Sequence, residues 1–224
     1  MTILEKLYSR FLDRAYPNQK ISYSQCGEDL IVDFLLTWEL GIKTPSFLDV
    51  GAHHPFWLNN TYIFYKRGLT GINIEPDPSL FATLSKHRPK DININKGVGI
   101  NKTNEMADFY IMSSRSLNTF SRSEAEATTK LGSNKIEEIK QIELININDI
   151  LLKYFPGKSL DFLSIDIEGF DLPVLHTIDY KSYAPKIICV ETSAFVENHI
   201  ASKQQPTIDL LLDHGYRAYA DTFY

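Results

Sequence analysis

The chain has 224 residues, 43 % of them hydrophobic and 23 % charged, and a formal net charge of −5. These values exclude a disordered or fibrous protein and speak against broad nucleic-acid binding, which needs a basic face. The longest apolar runs, such as Ile187-Ile188-Cys189-Val190, are far too short to cross a bilayer. Two cysteines, Cys26 and Cys189, are too few for a disulfide framework and read as reduced thiols. With no signal-peptide pattern at the N-terminus, the expectation is a cytoplasmic protein.

In chain order, Ile3, Leu4, Leu7, Phe11, Leu12 and Ala15 share one helical face, with Lys6, Arg10 and Arg14 elsewhere. The spacing predicts an amphipathic helix over residues 1–20, docked on the domain or in contact with a membrane surface or a partner. Residues 21–224 read as one domain. Ser24 with Glu28 and Asp29 marks a helix N-terminus, a polar cap followed by acids in the first turn.

Five strand-length runs rich in β-branched residues follow: Phe47–Val50, Gly71–Glu75, Ile92–Asn95, Asp161–Ile167 and Lys186–Glu191. Helical patterns lie between them at Asn60–Lys66, Pro78–Leu84 and Leu172–Ile178, and a last one at Thr207–His214 stops at Gly215. Asp77 is the natural N-cap of the Pro78 helix. Tyr216–Tyr219 reads as a sixth strand. Such alternation predicts an α/β fold, a doubly wound and mostly parallel sheet with ligands outside the carboxyl ends of its strands. Residues 113–141 depart from the pattern. Polar and flanked by strand-like Ala107–Met112 and Ile142–Ile145, they read as an antiparallel excursion carrying a lid-like insertion.

The strongest local signal is Phe47-Leu48-Asp49-Val50-Gly51-Ala52-His53-His54-Pro55, an apolar strand ending in an acid and a glycine turn. A dinucleotide site wants three glycines so that bare N–H groups approach a pyrophosphate. Here Gly51 stands alone and Pro55 removes a donor. The loop suits a ligand without a diphosphate, with Asp49 near its cationic group. S-adenosylmethionine is such a ligand, and Glu75, at the second strand end, can accept its ribose hydroxyls. The small residues of Gly97-Val98-Gly99 let the backbone pass beside an adenine ring.

Asp166 and Glu168 end the fourth strand, and continued alternation puts them on one side. Paired carboxylates supply a base, or a cation site, for an alcohol nucleophile. Glu191, ending the fifth strand, completes with Asp166 an oxygen-ligand set for Mg²⁺. His54, beside His53, is a further candidate base. Phe56 and Trp57 come early enough to line an acceptor pocket.

Tyr23-Ser24-Gln25-Cys26-Gly27-Glu28-Asp29-Leu30, Phe47–Ala52, Asn60-Thr61, Gly71–Pro76, Asp161–Gly169 and Cys189-Val190-Glu191 together resemble the FkbM-type S-adenosylmethionine-dependent methyltransferases over roughly residues 20 to 220. The resemblance implies a class I, Rossmann-like methyltransferase fold and methyl transfer to oxygen, on a sugar or polyketide hydroxyl of a small molecule or glycan. It also implies that the Ser24-Gln25 segment folds over the cofactor. The candidate cofactor-binding residues are then Ser24, Gln25, Asp49, Gly51, Ala52, Glu75, Pro76, Gly97 and Val98. The candidate catalytic residues are Asp166, Glu168 and His54. The family often carries Gly-Ala-Asn-x-Gly where this chain has Gly51-Ala52-His53-His54-Pro55. Two other readings stay open: a nicotinamide-dependent oxidoreductase, and a non-catalytic module that keeps the fold.

Overall fold

A computed structural model describes residues 20–101, 105–132, 134–194, 202–203 and 205–222. The helix expected at the extreme N-terminus lies outside them. Helix α1 (Glu28–Phe34) continues into a π-helical turn at Leu35–Glu39. Then come β1 (Phe47–Val50), α2 (Tyr62–Lys66), β2 (Ile72–Ile74), α3 (Pro78–His87) and β3 (Ile92–Ile94). A second group follows: β4 (Gly97–Gly99), β5 (Met106–Met112), a 3-10 turn at Arg115–Leu117, α4 (Arg122–Lys130) and β6 (Ile136–Asn146). The chain returns through α5 (Ile147–Tyr154), β7 (Phe162–Ile165), α6 (Asp171–Thr177), α7 (Tyr180–Tyr183) and β8 (Ile187–Val190). The short β9 (Ser193–Ala194) and β10 (Ser202–Lys203) and helix α8 (Gln205–Asp213) come last.

The main sheet has the order β3-β2-β1-β7-β8, and every pair is parallel. Strand order reverses at β1, whose neighbours β2 and β7 lie far apart in sequence, so a ligand crevice opens at the β1 tip. Asp77 caps α3 as expected, its side chain accepting the N–H groups of Ser79 (2.8 Å) and Leu80 (3.4 Å). Two expectations fail. Tyr216–Tyr219 forms no strand: after Gly215 the chain is irregular, with the Tyr216 hydroxyl donating to the Pro185 carbonyl at 2.6 Å and the Thr222 hydroxyl to Glu28 at 2.7 Å. The second strand of the excursion begins at Ile136 rather than Ile142, because it pairs antiparallel with all of β5. Charged residues on its solvent face had hidden the alternation.

Alternation gives the sheet two unlike faces. Leu48, Val50, Ile72, Ile74, Leu163 and Ile165 point to one side and pack with Ile147, Ile150 and Leu151 of α5 and with Val174 and Leu175 of α6. On the other side Phe47 and Phe162 pack with Phe64 and with Val32 and Leu36 of the α1 region. Between that aromatic layer and the strand tips the register aligns Asn93, Asn73, Asp49, Ser164 and Cys189 in one row across all five strands. The excursion forms its own sheet, β4-β6-β5, with Phe120 packed on Phe109, Ile111 and Ile142.

Candidate functional site at the strand tips

Two residues beyond each member of that polar row stand Asn95, Glu75, Gly51, Asp166 and Glu191. The site is therefore the next rung of the same face, at the tips where the strands end. Gly51 has φ +83°, and a Cβ there would lie 1.9 Å from the Asp166 carbonyl oxygen. Only glycine lets the β1 and β7 loops meet so closely. The Gly51 and Ala52 N–H groups both donate to the Ile74 carbonyl at 3.0 Å, which fastens the loop over β2.

Glu75 is buried. Its Oε2 accepts the His53 N–H at 2.7 Å and its Oε1 accepts the Asp77 N–H at 2.8 Å. Burial pushes its carboxyl up to about 8, against the pull of those two N–H groups, with Asp77 and Asp49 adding repulsion. In its protonated form the group offers one O–H donor together with remaining lone pairs. Pro76 is buried beside it, and the Asn95 amide ties both carbonyls of the Glu75-Pro76 turn at 2.8 and 3.0 Å.

Asp166, Glu168 and Glu191 each offer a carboxylate oxygen within 4.8 Å of the others. Asp166 and Glu168 meet through a turn and not through strand alternation, since β7 stops at Ile165 and Glu168 adopts a left-handed φ of 49°. Asp166 is open to solvent and still crowded by protein, as on the wall of a cleft. Desolvation and the facing Glu191 hold its carboxyl well above the usual range. Glu168 rises to about 9, through burial first and Asp166 next. Three hard oxygen ligands at this spacing fit a divalent cation, or share a proton.

Several expected site residues take other positions. Asp49 is buried one rung below the tips, its Oδ2 receiving the Thr61 hydroxyl at 2.7 Å and the Asn59 amide at 3.3 Å. Burial raises its pKa while Arg88 lowers it. It braces the loop from beneath. At this depth the partners of Oδ2 are Thr61 and Asn59 of the loop. The His54 ring packs on Trp57 (4.5 Å) and Phe56 (4.9 Å), and burial lowers its pKa. Gly97 and Val98 belong to the second sheet. A Cβ on Gly97 would strike Phe120 at 2.3 Å, so the small residue makes room for the insertion's aromatic ring. Ser24 turns inward, donating to Asp29 at 2.9 Å and accepting the Gly27 and Asp29 N–H groups, while Gln25 is exposed. Tyr23 holds this segment to the loop, its carbonyl accepting the Asn59 N–H at 3.0 Å.

Four residues join the site without a sequence signal. Asn59 and Arg88 lie in the network under the loop. On the insertion, Asn118 donates to Asp77 at 3.0 Å and the Thr119 hydroxyl donates to the Glu168 carbonyl at 2.9 Å. The insertion thus spans the β2 and β7 tips. A Ser-rich context hid both residues.

A parallel sheet in this order, with its crevice at the β1 switch point, is the Rossmann-like arrangement of a methyltransferase. The model of the Methyltransferase FkbM domain matches residues 49–218, and the chain belongs to that family. No curated protein and no solved structure matches it.

Proposed function

We propose that this protein is an S-adenosylmethionine-dependent O-methyltransferase acting on a hydroxyl of a sugar, a glycan or a related small molecule. The observation that carries the reading is electrostatic. The tips around Gly51 present Glu75, Asp166, Glu168 and Glu191, while the loop offers one glycine, a His53 N–H already bonded to Glu75, and Pro55. Glu75, Asp166 and Glu168 already hold their protons above the ordinary range because their charges are desolvated and crowded, so further negative charge from a diphosphate is unfavourable there, while a cation stabilises their ionised forms. That disfavours a nicotinamide dinucleotide. S-adenosylmethionine supplies the methyl group as a sulfonium electrophile. Glu75 pairs with the ribose hydroxyls through its carboxyl proton and its remaining lone pairs. Asp166, whose proton affinity is raised by desolvation and by the facing Glu191, accepts the proton of the acceptor hydroxyl, general-base help worth about 10²–10⁴-fold in rate. The insertion, tied down by Asn118 and Thr119, acts as a lid that keeps water from the transfer path. Trp57, half exposed, offers an aromatic face beside the loop to a sugar ring.

The acid trio favours a second reading of the same site, in which Asp166, Glu168 and Glu191 hold Mg²⁺ and orient the acceptor oxygen. Chelation with EDTA that leaves turnover unchanged removes it. We place the protein in the cytoplasm: both cysteines are free thiols, and no helix among the described residues is long and apolar enough to cross a membrane.

Calorimetric titration with S-adenosylhomocysteine and with NAD tests the main reading. Binding of the first alone is expected, and binding of NAD alone overturns it. The acceptor is then found by mass spectrometry of glycans and lipids from cells with and without the gene, as a species heavier by one methylene unit.

A further inference from the structure

Arg88 ends α3 far along the chain from the loop, and it is fully buried. Its Nε donates to Asp91 Oδ2 at 2.7 Å, and Nη2 lies 2.7 Å from the same oxygen as an ion-pair contact not aligned as a hydrogen bond. Its Nη1 reaches the other way, to Asn59 Oδ1 at 3.1 Å and Thr61 Oγ1 at 3.0 Å. The guanidinium also lies over the Tyr65 and Phe47 rings, at 5.2 and 5.9 Å. A buried charge is costly unless every donor is used, and a carboxylate alone satisfies only one edge of the fork.

The second edge controls the loop. By donating to Thr61 Oγ1, Arg88 leaves the Thr61 hydroxyl proton for Asp49. By fixing Asn59 Oδ1, which also accepts the Thr61 and Tyr62 N–H groups, it sets the amide nitrogen that donates to the Ala52 carbonyl at 3.0 Å. The residue after Ala52 is His53, whose N–H holds Glu75. Among the described contacts Arg88 touches neither Glu75 nor Asp166.

We infer that Arg88 is a positioning residue for the ligand cleft, acting through Asn59 on the Ala52-His53 turn. The inference rests on the S-adenosylmethionine reading and adds a residue to it.

The discriminating variant is Arg88→Lys. It keeps a positive charge against Asp91, and a compact ammonium cannot serve Asn59 and Thr61 together. S-adenosylhomocysteine is titrated calorimetrically into wild type, Arg88→Lys, Asn59→Ala and the double variant, each with a thermal melt. Both single variants are expected to bind at least about tenfold more weakly, and the double variant no more weakly than the worse single, because one chain of contacts is cut twice. Ile150→Val, which loosens the opposite face of the sheet, is expected to lower the melting temperature while binding within about twofold of wild type. Should Arg88→Lys not fold, Asn59→Ala and Thr61→Val decide by the same criterion. Folded variants that bind within about twofold of wild type overturn the inference, as do losses that simply add. A wild-type protein that takes up no S-adenosylhomocysteine overturns instead the functional reading beneath it.

Discussion

The two faces of the parallel sheet come from the same strands and behave as different materials. One is apolar from edge to edge, with Leu48, Val50, Leu163 and Ile165 closed under α5 and α6. The other carries a cross-strand polar row, Asn93-Asn73-Asp49-Ser164-Cys189, whose continuation by two residues is the candidate site. The apolar face gains its stability from burial, which is non-directional and tolerates small shifts. The polar row holds buried groups that are favourable only when each finds its partner, so it fixes geometry more than it adds stability. Asn60 shows the coupling: its amide bridges back onto Ser164 at 3.2 Å and contacts the Cys189 sulfur at 3.7 Å. A site needing atoms held to fractions of an ångström is better placed on the second kind of face.

The contrast can be broken most forcefully at Glu75. Its folded carboxyl, at about 8, holds a proton more tightly than the unfolded value of 4.5. Stability from this group is therefore complete below about pH 4.5, declines as pH rises toward about 8, and then levels, a loss on the order of 5 kcal/mol. Glu75→Gln should remove this slope, seen as urea midpoints that converge between about pH 5 and about pH 8.5 relative to wild type. The same variant should bind S-adenosylhomocysteine roughly 10- to 100-fold more weakly, through loss of the carboxyl's paired hydrogen bonds to the ribose hydroxyls. A variant that keeps the wild-type slope would show that Glu75 is not the group titrating.

On the apolar face, Leu163→Ala should cost about 2–5 kcal/mol in chemical denaturation. Its folded fraction should retain ligand affinity, because no loop contact is touched. Lost affinity at full folding would show that the two faces are not separable. A subtler effect is expected from Ser164→Ala in the polar row. Removing the acceptor of the Asn60 amide should lower stability by about 1 kcal/mol, and ligand affinity should weaken more than that stability change alone accounts for. Smallest of all, Trp57→Ala lies outside both faces and is half exposed. Its stability change should stay within about 0.5 kcal/mol, and S-adenosylhomocysteine affinity should not move. Any effect should show as a raised KM for a sugar-bearing acceptor.

Much of this architecture is legible along the chain. Short β-branched runs ended by Gly51, Pro76 and Gly169, with capped helices between them, predict the parallel sheet and place its strand tips. Glu75, Asp166 and Glu168 are readable because an acid at the end of an apolar strand has no packing reason to be there. Arg88 is not readable: an arginine at a helix C-terminus is ordinarily a solvated charge, and its burial depends on Asp91 in the turn that follows and on Asn59 and Thr61 arriving together from the loop after β1. The ring that His54 meets is equally unreadable along the chain, since its packing on Trp57 follows from the fold of the loop.

What the chain determined by itself is the period-two alternation and the residues that end each strand, because these follow from local backbone geometry. Which polar residues align into one row, and which acids converge within 4.8 Å, was decided by the tertiary structure. Register between distant strands and the left-handed turn at Glu168 are set by packing across the sheet, and no stretch of neighbouring residues contains that information.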